Sequence, residues 1–252
     1  MDAGDLTFTV LGNSGSYPGP GGACSGYLVQ TGTTEAGEGA LNVWLDAGSG
    51  TLANLQRHVT LDQVDAIVLS HSHPDHWSDV EGFYVACRYV LGRRGVPVYA
   101  PRGLQRLMRI GEEDARTLSW NTVADGGEIE IGPMRFRFSR TEHPVETLAV
   151  RVDCGGRTLG YSADSGPGWS LEALGPGLHL ALCEATFLQD GEGGTLHMSA
   201  RQAGATARAA GAERLVLTHL WPTVDSSAAL EEATAAFGRP VELAAINQRY
   251  RV

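Results

Sequence analysis

The stretch HSHPDHWSDVEG, His71 to Gly82, sets three histidines and an aspartate (His71, His73, Asp75 and His76) within six residues. It follows the apolar run VDAIVLS at 64–70, which reads as a buried strand ending at this turn. Alternate side chains of an extended segment share a face, so His71 and His73 point the same way. Pro74 then bends the path, and Asp75 and His76 leave in other directions. One short turn thereby offers two ligand pairs to two metal ions. Imidazole combined with carboxylate suits zinc, with manganese and iron as alternatives, better than calcium or magnesium. A lone histidine at a strand end is usually a satisfied polar group. Four metal-binding groups in six residues are not explained that way.

Two ions need further donors, and the chain holds eight histidines in all. His143 in RTEHPVET and His219 in LVLTHLWP both stand at strand ends. Asp164, in LGYSADSGPG, stands where an apolar strand stops at a Gly-rich turn, and a carboxylate there can bridge two cations. His197 in GTLHMSA precedes an expected helix whose N-cap is Ser199. His58, expected to end a helix, and His179, alternating with leucines, read as structural.

Around these points the chain reads as alternating elements. Strands are expected at LTFTVLG, SGYLVQT, LNVWLDAG and DAIVLSH, then helices at TLANLQRH and DVEGFYVACRYVLGRR. A strand at PVYAP and a helix at RGLQRLMRIG follow. Residues 127–163 return to strands, with CGGR at 154–157 as a hairpin turn. LALCEATF, SARQAGATARAAG, RLVLTHL and SAALEEATAAF then alternate strand and helix, and VELAAINQRYRV ends the chain. TGTTEAGEGA at 31–40 reads as a flexible hairpin loop. AIVLSH and RLVLTH are both apolar strands ending in a hydroxyl residue and a histidine, which suggests two similar halves facing one site.

The 252 residues fit one layered α/β domain spanning 1–252, large enough to bury a core without disulfides. Cys24, Cys87, Cys154 and Cys183 are widely spaced and form no CxxC pair, so they read as small buried hydrophobes. No apolar stretch approaches a membrane span, and the start MDAGDLTFTV has no basic region before an apolar one, so a cytoplasmic protein without membrane contact is expected. The formal net charge of −10 disfavours a broad nucleic-acid surface. Bound cations would offset that charge where an anionic substrate docks.

HSHPDH, then His143, Asp164 and His219 in that order, resembles the metallo-β-lactamase superfamily pattern HxHxDH…H…D…H over nearly the whole chain. The resemblance implies an α/β fold of αββα type, a four-layer sandwich with two metal ions at the sheet edges. It assigns His71, His73 and His143 to one ion, Asp75, His76 and His219 to the other, and Asp164 as the bridge. Asp46 in VWLDAG matches the acidic residue that supports a ligand from behind. CEATF, LHMSA and LVLTHL, with the opening loop LGNSGSYPGP, resemble the tRNase Z and phosphodiesterase branch, where a Glu and a later His act together. Those are Glu184 and His197. Antibiotic-hydrolysing members lack that pair, which makes lactamase activity the poorer fit.

For a phosphodiester, the ions would polarise the phosphoryl oxygens and generate hydroxide. Asp75 or Asp164 would orient the nucleophile, and His197, held by Glu184, would protonate the leaving oxygen or stabilise the transition-state charge. Between a tRNA 3′-processing endonuclease and a phosphodiesterase for small cyclic nucleotides, the second is favoured. tRNase Z enzymes carry a tRNA-gripping arm, commonly between the third metal histidine and the bridging aspartate. Here PVETLAVRVDCGGRTLGYSA joins His143 to Asp164 as one hairpin. The chain also resembles compact actinobacterial-type members, some linked to cyclic AMP hydrolysis. A small phosphodiester substrate is therefore expected, with tRNA second and a lactone or thioester third. Relatives form dimers, so a homodimer is open. Arg88, Arg93 and Arg94 could meet a phosphate but read better as a solvated helix end, and Phe83 and Tyr84 read as core. Ser14, Ser16 and Tyr17 are candidates to line the pocket.

Overall fold

A computed structural model of the chain describes residues 5–32, 40–108 and 116–252. Most of the loop expected at 31–40 lies outside the described residues, as does the end of RGLQRLMRIG.

Two seven-stranded sheets form the centre. The first is built from β1 (Leu6–Gly12), β2 (Gly26–Thr31), β3 (Asn42–Ala47), β4 (Ala66–Val68), β5 (Val96–Ala100), β6 (Leu118–Thr122) and β14 (Arg249–Arg251), in the order β14-β1-β2-β3-β4-β5-β6. The second holds β7 (Glu128–Ile131), β8 (Met134–Arg140), β9 (Leu148–Cys154), β10 (Arg157–Tyr161), β11 (Leu180–Glu184), β12 (Arg214–Thr218) and β13 (Glu242–Leu243), in the order β13-β12-β11-β10-β9-β8-β7. In each sheet antiparallel pairs give way to parallel ones, at β3–β4 and at β10–β11.

The strand period of two explains why both faces of each sheet are covered. In β3, Val43 and Leu45 face the second sheet while Trp44 faces the outer helices. The inter-sheet core joins Phe8, Tyr27 and Val68 to Phe136, Val152, Tyr161 and Val216. On the outer face of the first sheet lie α1 (Thr51–Leu55), α2 (Pro74–Trp77) and α3 (Asp79–Val85), and Leu55, Val80 and Phe83 pack on Trp44 and Ile67. On the outer face of the second sheet lie α4 (Ala200–Ala209) and α5 (Ser226–Phe237). These two helices approach closely because Gly204 has no side chain: a Cβ there would stand 2.4 Å from the carbonyl oxygen of Ala233. The result is the expected αββα arrangement of four layers.

Several elements differ from expectation. The helix expected at TLANLQRH closes at Leu55, and residues beyond it turn back with His58 N–H bonded to Leu55 O. His58 therefore does not cap a helix; its Nε2 meets Asn247 Oδ1 at 3.0 Å. The helix expected through DVEGFYVACRYVLGRR changes from α to a π turn over Ala86–Leu91 and ends at Gly92, φ 65°. RGLQRLMRIG forms only a 3₁₀ turn at Leu104–Leu107 among its described residues. β6 was not expected, because LSWNT is an edge strand with mostly exposed side chains and lacks an apolar run. All four cysteines are buried and unbridged. Among the described residues no helix is long and apolar enough to cross a membrane.

Candidate metal centre

The β4 and β12 ends, which carry the repeated hydroxyl–histidine ending, lie in opposite sheets and bring His71 and His219 to one cleft. The first sheet contributes His71, His73, Asp75 and His76. The second contributes His143 after β8, Asp164 after β10 and His219 after β12. Pro74 opens α2, so Asp75 and His76 leave from its first turn while His73 stays in extended backbone, φ −72° and ψ 139°. Gly48 lets this turn come close, since a Cβ there would stand 1.9 Å from Asp75 O.

The donors fall into two groups that share Asp164: His71, His73, His143 and Asp164, and Asp75, His76, His219 and Asp164. In the first, His73 Nδ1 lies 3.1 Å from both His71 Nε2 and His143 Nε2. Zinc–nitrogen bonds of about 2.0–2.1 Å in tetrahedral array separate neighbouring nitrogens by roughly 3 Å, so this spacing fits an ion. In the second, His76 Nε2 is 3.2 Å from Asp164 Oδ1 and 3.5 Å from Asp75 Oδ2, and His219 Nε2 is 3.4 Å from Asp164 Oδ2.

Proton accounting gives the same answer. Asp46 accepts from Ser70 N–H at 2.7 Å, and from Ser70 Oγ–H at 2.8 Å. It also accepts from His76 Nδ1–H at 2.8 Å and Tyr161 O–H at 2.7 Å. Since the Ser70 proton goes to Asp46, its oxygen accepts from His71 Nδ1–H at 3.0 Å. His143 Nδ1–H donates to Leu196 O at 3.1 Å, and His219 Nδ1 meets Ser25 Oγ at 2.9 Å. Each of these rings is held by Nδ1 and turns Nε2 inward. His76 Nε2, His219 Nε2 and Asp164 Oδ1 are buried without a hydrogen-bond partner. Such orphans are costly unless a cation completes them. The residues present therefore can hold metal ions.

The electrostatics agree. Burial, then the charge of His76, holds His71 well below the usual imidazole range, and burial also lowers His143 and His219, so all three offer neutral rings. Burial opposes a charge on His76, but Asp164, Asp75 and Asp46 outweigh it and push its pKa well up. A ring facing those carboxylates demands a cation at Nε2, either a proton or a metal ion. Burial acts to raise the Asp75 carboxyl, yet the charge and hydrogen bond of His76 hold it far below the usual range as a carboxylate. Cys24, close by, is pushed up to about 12 by burial and by Asp75, so it stays a thiol.

A third group joins Asp164 to Glu184 and His197. Glu184, at the end of β11, is fully buried. It accepts from Ser165 N–H at 2.6 Å, Thr186 O–H at 2.6 Å and Met198 N–H at 3.2 Å. His197 Nδ1 lies 3.1 Å from Glu184 Oε1 and 4.0 Å from Asp164 Oδ2. Burial opposes its charge, but Glu184 pushes the His197 pKa up to about 9. Ser199 caps α4 as expected, in a reciprocal box with Gln202.

Sequence reasoning missed the supporting hydroxyls: Ser25, Ser70, Tyr161 and Thr186. The one signal was the hydroxyl residue before the histidine in both repeated strands, Ser70 and Thr218. Of the first-loop candidates, Ser16 donates its N–H to Asp75 Oδ2 at 2.9 Å and accepts from Trp221 Nε1 at 3.1 Å, while Tyr17 stays exposed. Arg93 binds Leu61 O and Val64 O and so staples a loop, and Phe83 and Tyr84 are core. His179 is structural, accepting from Thr158 N–H at 3.1 Å. Ser16, Asp46, Ala163 and His219 all take positive φ, 50–59°, without being glycine. Such backbone gathers where a site over-determines it.

Comparison with known proteins agrees with this architecture. Residues 41–220 match the family described as the β-lactamase superfamily domain. The protein Rv1339 of Mycobacterium tuberculosis (strain H37Rv) is 32% identical over 98% of this chain and 92% of its own. The probable metallo-hydrolase YhfI of Bacillus subtilis is 31% identical over 85% of this chain and 87% of its own. The YhfI crystal structure superposes with a TM-score of 0.87, covering 98% of this chain and 99% of that one at 27% identity. Ribonuclease Z of Methanopyrus kandleri is 28% identical over 92% of this chain and 93% of its own. With its fold, its donor arrangement and these relatives in agreement, the chain belongs to the metallo-β-lactamase superfamily of metal-dependent hydrolases, in the ribonuclease Z-like branch.

Proposed function

We propose that the protein is a dinuclear phosphodiesterase that hydrolyses a small phosphodiester, with a cyclic nucleotide such as cyclic AMP as the first candidate. The observation that carries this reading is the Glu184–His197 pair at 3.1 Å, set beside the shared Asp164. A phosphodiester needs a proton delivered to a poor alkoxide leaving group, and a held imidazole supplies it.

In this reading His71, His73 and His143 hold one divalent ion, and Asp75, His76 and His219 the other. Asp164 is shared, and zinc is the preferred metal. When bound, the ions would supply Lewis-acid polarisation of the phosphoryl group and acidify a water. Asp75, fixed by Ser16 N–H, orients the attacking water by accepting its hydrogen bond. Glu184, saturated by three other donors, keeps His197 in one orientation with its second nitrogen free. His197 donates its proton to the departing oxygen. Burial of His71, Asp75, His76, Asp164 and His219 limits bulk water at these contacts, while His73, His143 and His197 stand partly open on the side a substrate would enter.

Ribonuclease Z relatives support a second reading, cleavage of a tRNA 3′ trailer. Two observations favour the small substrate. β9 and β10 form a plain antiparallel hairpin between His143 and Asp164, and the chain carries a net charge of −10. The test is cyclic AMP hydrolysis by protein loaded with zinc or manganese, beside His71→Ala. Turnover lost in the variant is expected. No turnover, in protein holding two ions, removes cyclic AMP, and a tRNA with a 3′ trailer, then lactones and thioesters, come next.

A further inference from the structure

Donors from two separate sheets must meet within a few tenths of an ångström, so something has to hold the sheets in register at the cleft. Tyr161 ends β10 in the second sheet and is 1% exposed. Its hydroxyl crosses the inter-sheet core to Asp46 in β3 of the first sheet, at 2.7 Å. The same Asp46 oxygen takes the proton of His76 Nδ1, at 2.8 Å. Asp46 itself sits at φ 54°, a conformation that its contacts must maintain. A second tyrosine makes a parallel crossing: Tyr27 in β2 meets Thr218 Oγ1 in β12 at 2.6 Å. Only the first crossing ends on a carboxylate bonded to a metal-facing ring.

We propose that Tyr161 is a positioning residue which, through Asp46, fixes His76 and so governs the ion held by Asp75, His76 and His219 more than the ion held by His71, His73 and His143. This rests on the two-ion reading above. The hydroxyl gives Asp46 a donor from the opposite sheet, so the imidazole it orients is set relative to His219 and Asp164, which also come from that sheet. Without the hydroxyl, Asp46 keeps Ser70 and His76 but loses its only side-chain hydrogen bond from the second sheet among the described residues. His71 reaches Asp46 only through Ser70, within its own sheet, and is insulated from the loss.

The experiment is zinc titration against a chromophoric chelator, with the cobalt(II) absorption spectrum as a second readout, on wild type, Tyr161→Phe and Tyr27→Phe. Wild type is expected to take two equivalents. Tyr161→Phe is expected to weaken one equivalent by about 10–100-fold and to leave the other unchanged. Its cobalt spectrum should change for that equivalent alone. Tyr27→Phe, which removes a similar crossing that avoids Asp46, should keep both affinities. Unchanged binding in Tyr161→Phe, or equal weakening of both equivalents, overturns the proposal. So does the same selective loss in Tyr27→Phe, which would make the spacing of the sheets, or the Ser25 support of His219, rather than Asp46 the cause. Fewer than two equivalents in wild type would instead remove the two-ion reading itself.

Discussion

At the scale of single residues, the roles proposed for His197 and Glu184 separate chemistry from metal holding. His197 Nδ1 is bound to Glu184 while its link to Asp164 is long, 4.0 Å, so removing the ring leaves both donor groups intact. For His197→Ala we expect kcat on a phosphodiester to fall by about 10²–10⁴-fold with two ions retained, read by steady-state kinetics beside metal analysis. Loss of metal together with activity would make His197 a ligand instead. Glu184→Gln should lower kcat in the same direction and by less, because the ring remains but its orienting charge is gone. The groups that meet in the cleft were legible in the sequence, since their residue types and spacing are those of metal donors. Their supports were not. Ser70, Ser25 and Tyr161 are ordinary residues until the fold joins Tyr161 to Asp46 across 115 positions and Ser25 to His219 across 194.

At the scale of elements, packing overrules local preference. Alanine is favoured over glycine inside a helix by about 1 kcal/mol. Gly204 of α4 nonetheless faces α5 so closely that a methyl group would press on the Ala233 carbonyl. Gly204→Ala is therefore expected to destabilise by about 1–3 kcal/mol, measured by urea unfolding, and a stabilised variant would refute the contact. β8, β9 and β10 meet at Asp153, which accepts from Arg151 at 2.9 Å, Arg137 at 2.9 Å and Thr158 at 2.7 Å. Partial burial raises its pKa, but these donors win and hold it at about 2. The folded value lies below that of an unfolded aspartate, about 3.9. The contribution to stability is thus complete above pH 4 and fades as pH falls from about 4 towards 2. Chemical unfolding across pH should find wild type more stable than Asp153→Asn above pH 5, with the gap closing through that window. A constant gap would mean that the charge plays no part. Strands and helices with a clean period were readable in advance, including the repeated endings of β4 and β12. β6 and the π turn after α3 were not, because an exposed edge strand has no alternation and one extra residue per turn leaves no mark on an apolar run.

At the scale of the whole molecule, the cleft brings six imidazoles, three of them buried, and three carboxylates from two sheets into one volume, with His76 Nε2, His219 Nε2 and Asp164 Oδ1 left without hydrogen bonds. Each half of the cleft belongs to a sheet that pairs internally, so the cost of bringing the halves together falls on the inter-sheet core around Phe8, Tyr27, Phe136 and Tyr161. The αββα architecture was legible because the motif named it; how the halves are joined was not, since inter-sheet contacts link residues with no sequence pattern in common. An ion that binds only the folded cleft stabilises it by about 2.7 kcal/mol when free metal is 100-fold above Kd. Two such ions contribute about 5 kcal/mol, and for a chain of this size each kcal/mol moves Tm by about 2–4 °C. Stripping the metal with a chelator is thus expected to lower Tm by about 10–20 °C, read by calorimetry, with recovery on adding zinc. The shift should shrink in His71→Ala and in His219→Ala, one from each sheet, because in the two-ion reading each removes a donor from one ion. If the stripped and loaded proteins melt together, the cleft is held by its own hydrogen bonds, Tyr161–Asp46 and Tyr27–Thr218 foremost, and metal binding contributes nothing to joining the sheets.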